Sequence, residues 1–246
     1  MIPKIIHYCW LSDDPFPKDI LYFFDTWKKK LPDYEFVLWD TKRFDINSSI
    51  WVKQAFENKK YAFAADYIRL YALYHYGGIY LDTDIEVLKS YNPLLEHKIM
   101  LGLDYTNECC EVATWGAEKG LECVKILLQY YDNKSFVKLD GTFDMEPMPK
   151  VVRRVLLEKG FNFINVKSKE EVSKITDEKH IPVYPHDWFC PLEWYTFKLH
   201  KTKDTYSIHR FKGAWLSDDM RKERAFLSKL GPYLPAIIRK LQKWFN

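Results

Sequence analysis

Hydrophobic residues in this chain fall into two kinds of run. Short, nearly continuous apolar stretches predict strands at residues 4–10, 34–39, 79–81, 85–88, 99–103, 112–115, 161–166 and 206–209. Several show little polar alternation, which is the pattern of a strand covered on both faces. Between them, apolar residues recur at helical spacing. Ile20, Phe23, Phe24 and Trp27 mark a helix over 19–30 that ends near Pro32, and further helices are expected over about 49–59, 120–131 and 148–159. Residues 11–18, with Asp13, Asp14, Pro15 and Pro17, form a loop. Residues 181–195, with Pro182, Pro185 and Pro191 among aromatics, are expected to be irregular. Strands alternating with helices predict an α/β domain around a parallel or mixed sheet.

One stretch stands apart: residues 61–84, YAFAADYIRLYALYHYGGIYLDTD. Its first part is apolar almost all round, which predicts a buried helix. Asp66 and Arg69 lie three residues apart on one face of it, so they either pair with each other or meet a ligand. Gly77 and Gly78 end the helix, because glycine adopts left-handed backbone without penalty. Ile79, Tyr80 and Leu81 then form a short strand that runs into Asp82-Thr83-Asp84. Two carboxylates at the end of a buried strand repel unless a cation sits near them. They are hard oxygen ligands, suited to Mg2+ or Mn2+ carrying a substrate phosphate. A D-x-D in a surface turn is the ordinary alternative, and a buried salt bridge is the alternative for Asp66 and Arg69.

Composition narrows the classes. At 246 residues, 47% hydrophobic and 29% charged, the chain can bury a sizeable core. Its formal net charge of +3 is uneven. Residues 221–246 hold seven basic residues and one Glu, which leaves residues 1–220 at −3, with 30 basic against 33 acidic side chains. The body is therefore not a nucleic-acid surface by charge. The start of the chain does not read as a secretory signal, and no apolar run is long enough to span a bilayer. The five cysteines show no C-x-x-C spacing and no disulfide framework, so a reducing, cytoplasmic setting is expected. No internal repeat interrupts residues 1–216.

The blocks GGIYLDTD and AADYIRLYALYHY, with IPKIIHYCW at residues 2–10, YPHDWFCP at 184–191 and SIHRFKGAW at 207–215, resemble glycosyltransferase family 32. More distantly they resemble the glucosyltransferase domains of large clostridial toxins. The resemblance runs from residue 2 to about 216. It implies a GT-A-type, single Rossmann-like α/β domain with a mixed central sheet over residues 1–216, in which D-x-D holds a nucleotide-sugar diphosphate. The sequence contains neither G-x-G-x-x-G nor G-x-x-x-x-G-K-[ST]. By the same resemblance, Trp10 would stack on the nucleobase, Asp66 and Arg69 would hold the donor sugar, and Tyr80 would line that pocket. Asp82 would contact ribose and sugar hydroxyls, Asp84 would bind the metal, His209 would be a further metal or diphosphate ligand, and Trp215 would close over the donor. Ala214 stands where family members commonly carry Ser. Asp144 and Glu146 fall where related enzymes often meet the acceptor, although a solvated loop explains them equally well. His7, inside the first strand, reads as structural.

The function implied is a metal-dependent, retaining transfer of a sugar from a nucleotide-sugar donor, a UDP-sugar by analogy with bacterial relatives, to a saccharide acceptor in capsule, O-antigen or other surface polysaccharide synthesis. Mn2+ or Mg2+ is the cofactor implied. Two other readings are open: a haloacid-dehalogenase-like phosphohydrolase, which also ends a strand in D-x-D, and a non-catalytic carbohydrate-binding module. In the former the aspartates open the domain and are followed by Gly-Thr or similar. Here some eighty residues precede them and Ile85-Glu86 follow. Residues 217–246 predict a basic helical tail. Leu234, Ile237, Ile238, Leu241, Trp244 and Phe245 fall on one face of its second helix, opposite Arg239, Lys240 and Lys243. That pattern suits either packing on the body or a peripheral contact of residues 232–246 with an anionic membrane, at the inner face of the plasma membrane, where a lipid-linked acceptor would lie.

Overall fold

The computed structural model describes residues 1–106, 108–194, 196–212 and 222. The expectations for Ala214, Trp215 and the tail, Lys222 apart, lie outside the described residues. The elements follow in the order β1 (Ile5–Cys9), α1 (Lys18–Lys30), β2 (Glu35–Trp39), α2 (Ile50–Glu57), α3 (Tyr61–Tyr76), β3 (Gly78–Leu81) and β4 (Ile85–Val87). Then come β5 (Ile99–Leu103), β6 (Cys110–Ala117), α4 (Glu122–Tyr130), α5 (Met148–Glu158), β7 (Asn162–Asn165), α6 (Lys169–Val172), β8 (His180–Val183), α7 (His186–Phe189) and β9 (Ser207–His209).

The main sheet has strand order β2-β1-β3-β6-β5. β1 runs parallel to both β2 and β3, while β6 is antiparallel to β3 and β5. This is the mixed α/β sheet expected from the sequence. Alternate residues of each strand enter different cores. On β3, Tyr80 faces a core built with α2, α3, α4 and α5, whereas Ile79 and Leu81 face a second core that holds Trp27 of α1 and Phe189 of α7. Every residue of β3, β5 and β6 is buried. Coverage on both faces is why those stretches read as unbroken apolar runs.

Two smaller sheets depart from the expectation. Residues 85–88 do not extend the main sheet: β4 pairs antiparallel with β9 from the far end of the chain. The stretch expected to be irregular contains β8, which pairs parallel with β7, and the single-turn helix α7. Prolines hid these elements from a pattern reading. Pro182 sits within β8 and Pro185 immediately precedes α7.

The turn from α3 into β3 is where backbone geometry decides the fold. Gly77 (φ +68°) caps α3 by donating to the Leu73 carbonyl at 3.0 Å, and Gly78 follows at φ +105°. A Cβ on Gly78 would lie 2.7 Å from the Ile5 carbonyl oxygen, so no other residue fits there without moving β1. His7 fastens the same junction. Its Nε2 donates to the Gly77 carbonyl at 2.7 Å, and its Nδ1 accepts from Trp39 Nε1 at 3.1 Å. One partner only accepts and the other only donates, so this ring is the neutral Nε2–H tautomer. It is structural, as expected.

Candidate active site

β3 delivers Asp82 and Asp84 to the C-terminal edge of the parallel strands, the edge at which open α/β sheets bind ligands. Asp82 N–H donates to the Ala113 carbonyl at 2.9 Å, and Ile85 N–H returns to the Asp82 carbonyl at 3.0 Å, which makes a tight turn around Thr83. Beneath it lies Arg69 of α3, with its side chain 4% exposed. Its Nη2 donates to Asp82 Oδ1 at 2.8 Å, its Nη1 lies 3.6 Å from Asp66 Oδ1, and the guanidinium stacks 4.4 Å from the Tyr80 ring centre. Nη1 also meets Met148 Sδ at 3.1 Å. Arg69 therefore faces the two carboxylates and the Tyr80 ring.

The second half of the site comes from sequence more than 120 residues away. Pairing of β4 with β9 sets Ile85 opposite His209. His209 Nε2 lies 3.5 Å from Asp84 Oδ1, and its Nδ1 lies 3.3 Å from Glu111 Oε1 on β6. The chain then wraps Asp84. Arg210 N–H donates to its carbonyl at 3.1 Å, and Lys212 N–H donates to Oδ2 at 2.7 Å. The turn that aims Lys212 there passes through Phe211 at φ +50°, an uncommon backbone for an aromatic residue, and the Phe211 ring lies 4.0 Å over that of His209. Arg210 pairs with Glu86, and Trp27 Nε1 holds the Ile85 carbonyl at 2.7 Å, so β4 is pinned from both sides.

Electrostatics follow from this packing. Burial lowers the pKa of His209, but the Glu111 and Asp84 carboxylates outweigh it and hold the ring well above its ordinary value. Burial alone would raise Asp84; His209 and the Lys212 N–H bring it below the usual carboxylate range. Asp82 is raised, by burial first and by Asp84 beside it, against the pull of Arg69. Burial pushes Asp66 up to about 7 despite Arg69.

Among the described residues, Asp82, Asp84 and His209 each offer a ligand atom within 4.8 Å of the others. Two hard oxygens and one imidazole suit Mn2+ or Mg2+ that keeps positions open for phosphate and water. The donor set fits such an ion.

The other expected residues are placed as follows. Trp10 follows the C-terminal end of β1, on the same sheet edge. It is half-buried, with Nε1 donating to the Asp14 carbonyl at 2.9 Å and its ring 4.9 Å from Phe16. Tyr80 is 1% exposed behind Arg69. Asp144 and Glu146 do not join the cluster. Asp144 pairs with Lys134 at 2.8 Å and Glu146 with Arg154 at 2.8 Å, so each already has a cation of this chain as partner. Trp215 lies outside the described residues. The sequence reading missed Glu111 and Cys190, which form a second group with His209 within 4.8 Å. A lone carboxylate inside the buried run CEVATWGA was the available signal for Glu111; for Cys190 there was none.

The fold and site together define an α/β protein that presents a D-x-D pair, backed by an arginine, at the ligand-binding edge of its sheet. Residues 17–101 match the family model described as "Glycosyltransferase sugar-binding region containing DXD motif". Inositol phosphoceramide mannosyltransferase 3 of Schizosaccharomyces pombe is 34% identical over 100 residues, 39% of this chain and 28% of that protein. The mannosyl phosphorylinositol ceramide synthase SUR1 of Saccharomyces cerevisiae is 36% identical over 106 residues, 39% of this chain and 26% of that protein. The chain thus spans about a quarter of the length of these curated relatives. Among solved structures, PaToxG glycosyltransferase superposes with a TM-score of 0.46 at 20% identity, covering 64% of this chain and 69% of that one. The galactosyltransferase LgtC, solved with donor and acceptor sugar analogs, superposes with a TM-score of 0.43 at 12% identity, covering 96% and 99%.

Proposed function

We propose that this chain is a divalent-metal-dependent glycosyltransferase that moves a sugar from a nucleotide-sugar donor to a hydroxyl acceptor. The convergence of Asp82, Asp84 and His209 at the end of β3 carries this reading, and the two aspartates lie inside the segment that matches the D-x-D family. Asp84 and His209, with Asp82, would hold Mn2+ or Mg2+. When bound, that ion supplies Lewis-acid neutralisation of the charge that develops on the leaving diphosphate.

The chain's own residues do the rest. Lys212 N–H and Arg210 N–H fix Asp84 in place. Arg69 keeps Asp82 oriented, and Asp82 and Asp66 offer carboxylate oxygens to sugar hydroxyls and to positive charge developing at the anomeric carbon. Trp10 offers an aromatic face for the base. Reaction breaks the anomeric C–O bond to the diphosphate and forms one to the acceptor oxygen. Retention, implied by the family resemblance, fits same-face attack in which a donor phosphate oxygen takes the acceptor's proton.

Both curated relatives described above are named for mannosyl transfer to, or synthesis of, an inositol phosphoceramide, not for capsule synthesis. GDP-mannose therefore belongs in the donor screen beside UDP-sugars, and inositol-containing lipids belong beside saccharides among acceptors. Among the described residues, no helix is long and apolar enough to cross a membrane. The basic and apolar residues of 232–246 supply the proposed contact with an anionic surface, which flotation with and without them tests.

The decisive experiment is a nucleotide-sugar turnover screen with Mn2+ on wild type and Asp84→Ala. The variant should fold normally and lose ~10²–10³ in rate together with metal-dependent donor binding. Retention of most activity by the variant, or by wild type stripped of metal, refutes the assignment.

A further inference from the structure

Glu111 sits inside β6, where all eight residues are buried, and is itself 4% exposed. A carboxylate in such a place is costly unless its oxygens are engaged. Oε1 accepts from the Ala113 N–H at 2.8 Å, and both oxygens face His209 Nδ1, at 3.3 and 3.4 Å. The other ring nitrogen, Nε2, faces Asp84. A carboxylate against Nδ1 keeps a proton on that nitrogen, so that a divalent cation replacing the Nε2 proton at Asp82 and Asp84 would meet the Nε2 lone pair.

Glu111, Cys190 and His209 also form a group of ligand type in their own right. Access separates the two clusters. Cys190 is fully buried and Glu111 nearly so, whereas the Asp82 and Asp84 side chains are 30% and 13% exposed. An ion that must also meet a diphosphate needs the open side.

We propose that Glu111 is a positioning residue. It anchors His209 as the Nδ1–H tautomer with Nε2 presented to a divalent cation at Asp82 and Asp84, and so tunes metal affinity without touching the metal. This rests on the metal-site reading above.

The test is Mn2+ binding to the full chain, with and without UDP or GDP, followed by electron paramagnetic resonance. Glu111→Met, which keeps the volume but has no acceptor for Nδ1–H, should weaken Mn2+ by about 10–100-fold. Glu111→Gln, whose amide oxygen can accept from Nδ1–H, should recover most of the affinity. In a His209→Ala background, Glu111→Met should cause no further loss, and Cys190→Ala alone should bind as wild type does. Wild-type affinity in Glu111→Met, an equal loss without His209, or abolition by Cys190→Ala overturns the proposal. If the variants fail to fold, the wild type still decides: long-range ¹H–¹⁵N spectra with Mg2+ should show His209 protonated at Nδ1 alone, and a proton on Nε2 refutes it. Failure of wild type to bind Mn2+, or binding undiminished in Asp84→Ala, instead sinks the metal site itself, and the role of Glu111 with it.

Discussion

His7 permits a quantitative prediction. The residue is 1% exposed and joins three parts of the fold: β1 that carries it, Trp39 on β2, and the Gly77 carbonyl that leads into the D-x-D strand. Burial drives its pKa down to about 4 from an ordinary 6.5, against the opposing help of the Gly77 carbonyl. Protonation would set two N–H groups, His7 Nδ1 and Trp39 Nε1, against each other. A histidine neutral in the native state and protonated when unfolded contributes stability that is fully present above pH 6.5 and is lost as pH falls toward 4. A depression of that size corresponds to about 3 kcal/mol across the window. Asp66, raised to about 7, acts with the opposite sign over the same range, so the wild-type pH profile alone does not isolate His7. The measurement is the difference in urea-unfolding free energy between wild type and His7→Gln. At pH 7.5 the substitution should cost about 1–3 kcal/mol for the hydrogen bonds it disturbs. Near pH 4.5 that advantage of wild type should shrink by a further ~2–3 kcal/mol, to nothing or below. A difference that stays constant with pH would refute the tautomer and the burial argument together.

Three further outcomes follow from the same packing. Arg69→Met strands Asp82 and Asp66, and should destabilise by about 3–5 kcal/mol at pH 7.5. The loss should lessen at pH 5, where Asp66 is protonated in either protein; an unchanged melting temperature would show that the guanidinium is not what stabilises those carboxylates. Gly78→Ala drives a Cβ into the Ile5 carbonyl at a left-handed φ and should cost at least ~1–3 kcal/mol, with falling soluble yield; a wild-type denaturation midpoint would contradict the turn geometry. Trp10→Ala should weaken nucleoside diphosphate binding by ~1–3 kcal/mol while leaving Mn2+ binding alone. Calorimetry that shows equal affinity would remove the stacking role.

Much of this protein is determined by its sequence alone. The unbroken apolar runs predict strands covered on both faces, the all-round apolar helix predicts a buried α3, and the glycine pair predicts where that helix stops. The D-x-D at a strand end is a local feature, so it too is legible. What only tertiary structure decides is what those carboxylates meet. Asp82 finds Arg69 because α3 folds back along β3. Asp84 finds His209 because β4 leaves the main sheet to pair with β9, a contact between segments more than 120 residues apart that no local period encodes. Glu111 reaches His209 only because β6 runs antiparallel beside β3. Asp144 and Glu146, which the family resemblance sets near an acceptor, likewise meet partners, Lys134 and Arg154, that only the folded chain brings to them. Periodicity is set within a few residues, whereas charge pairing in a buried site is set by which strands become neighbours.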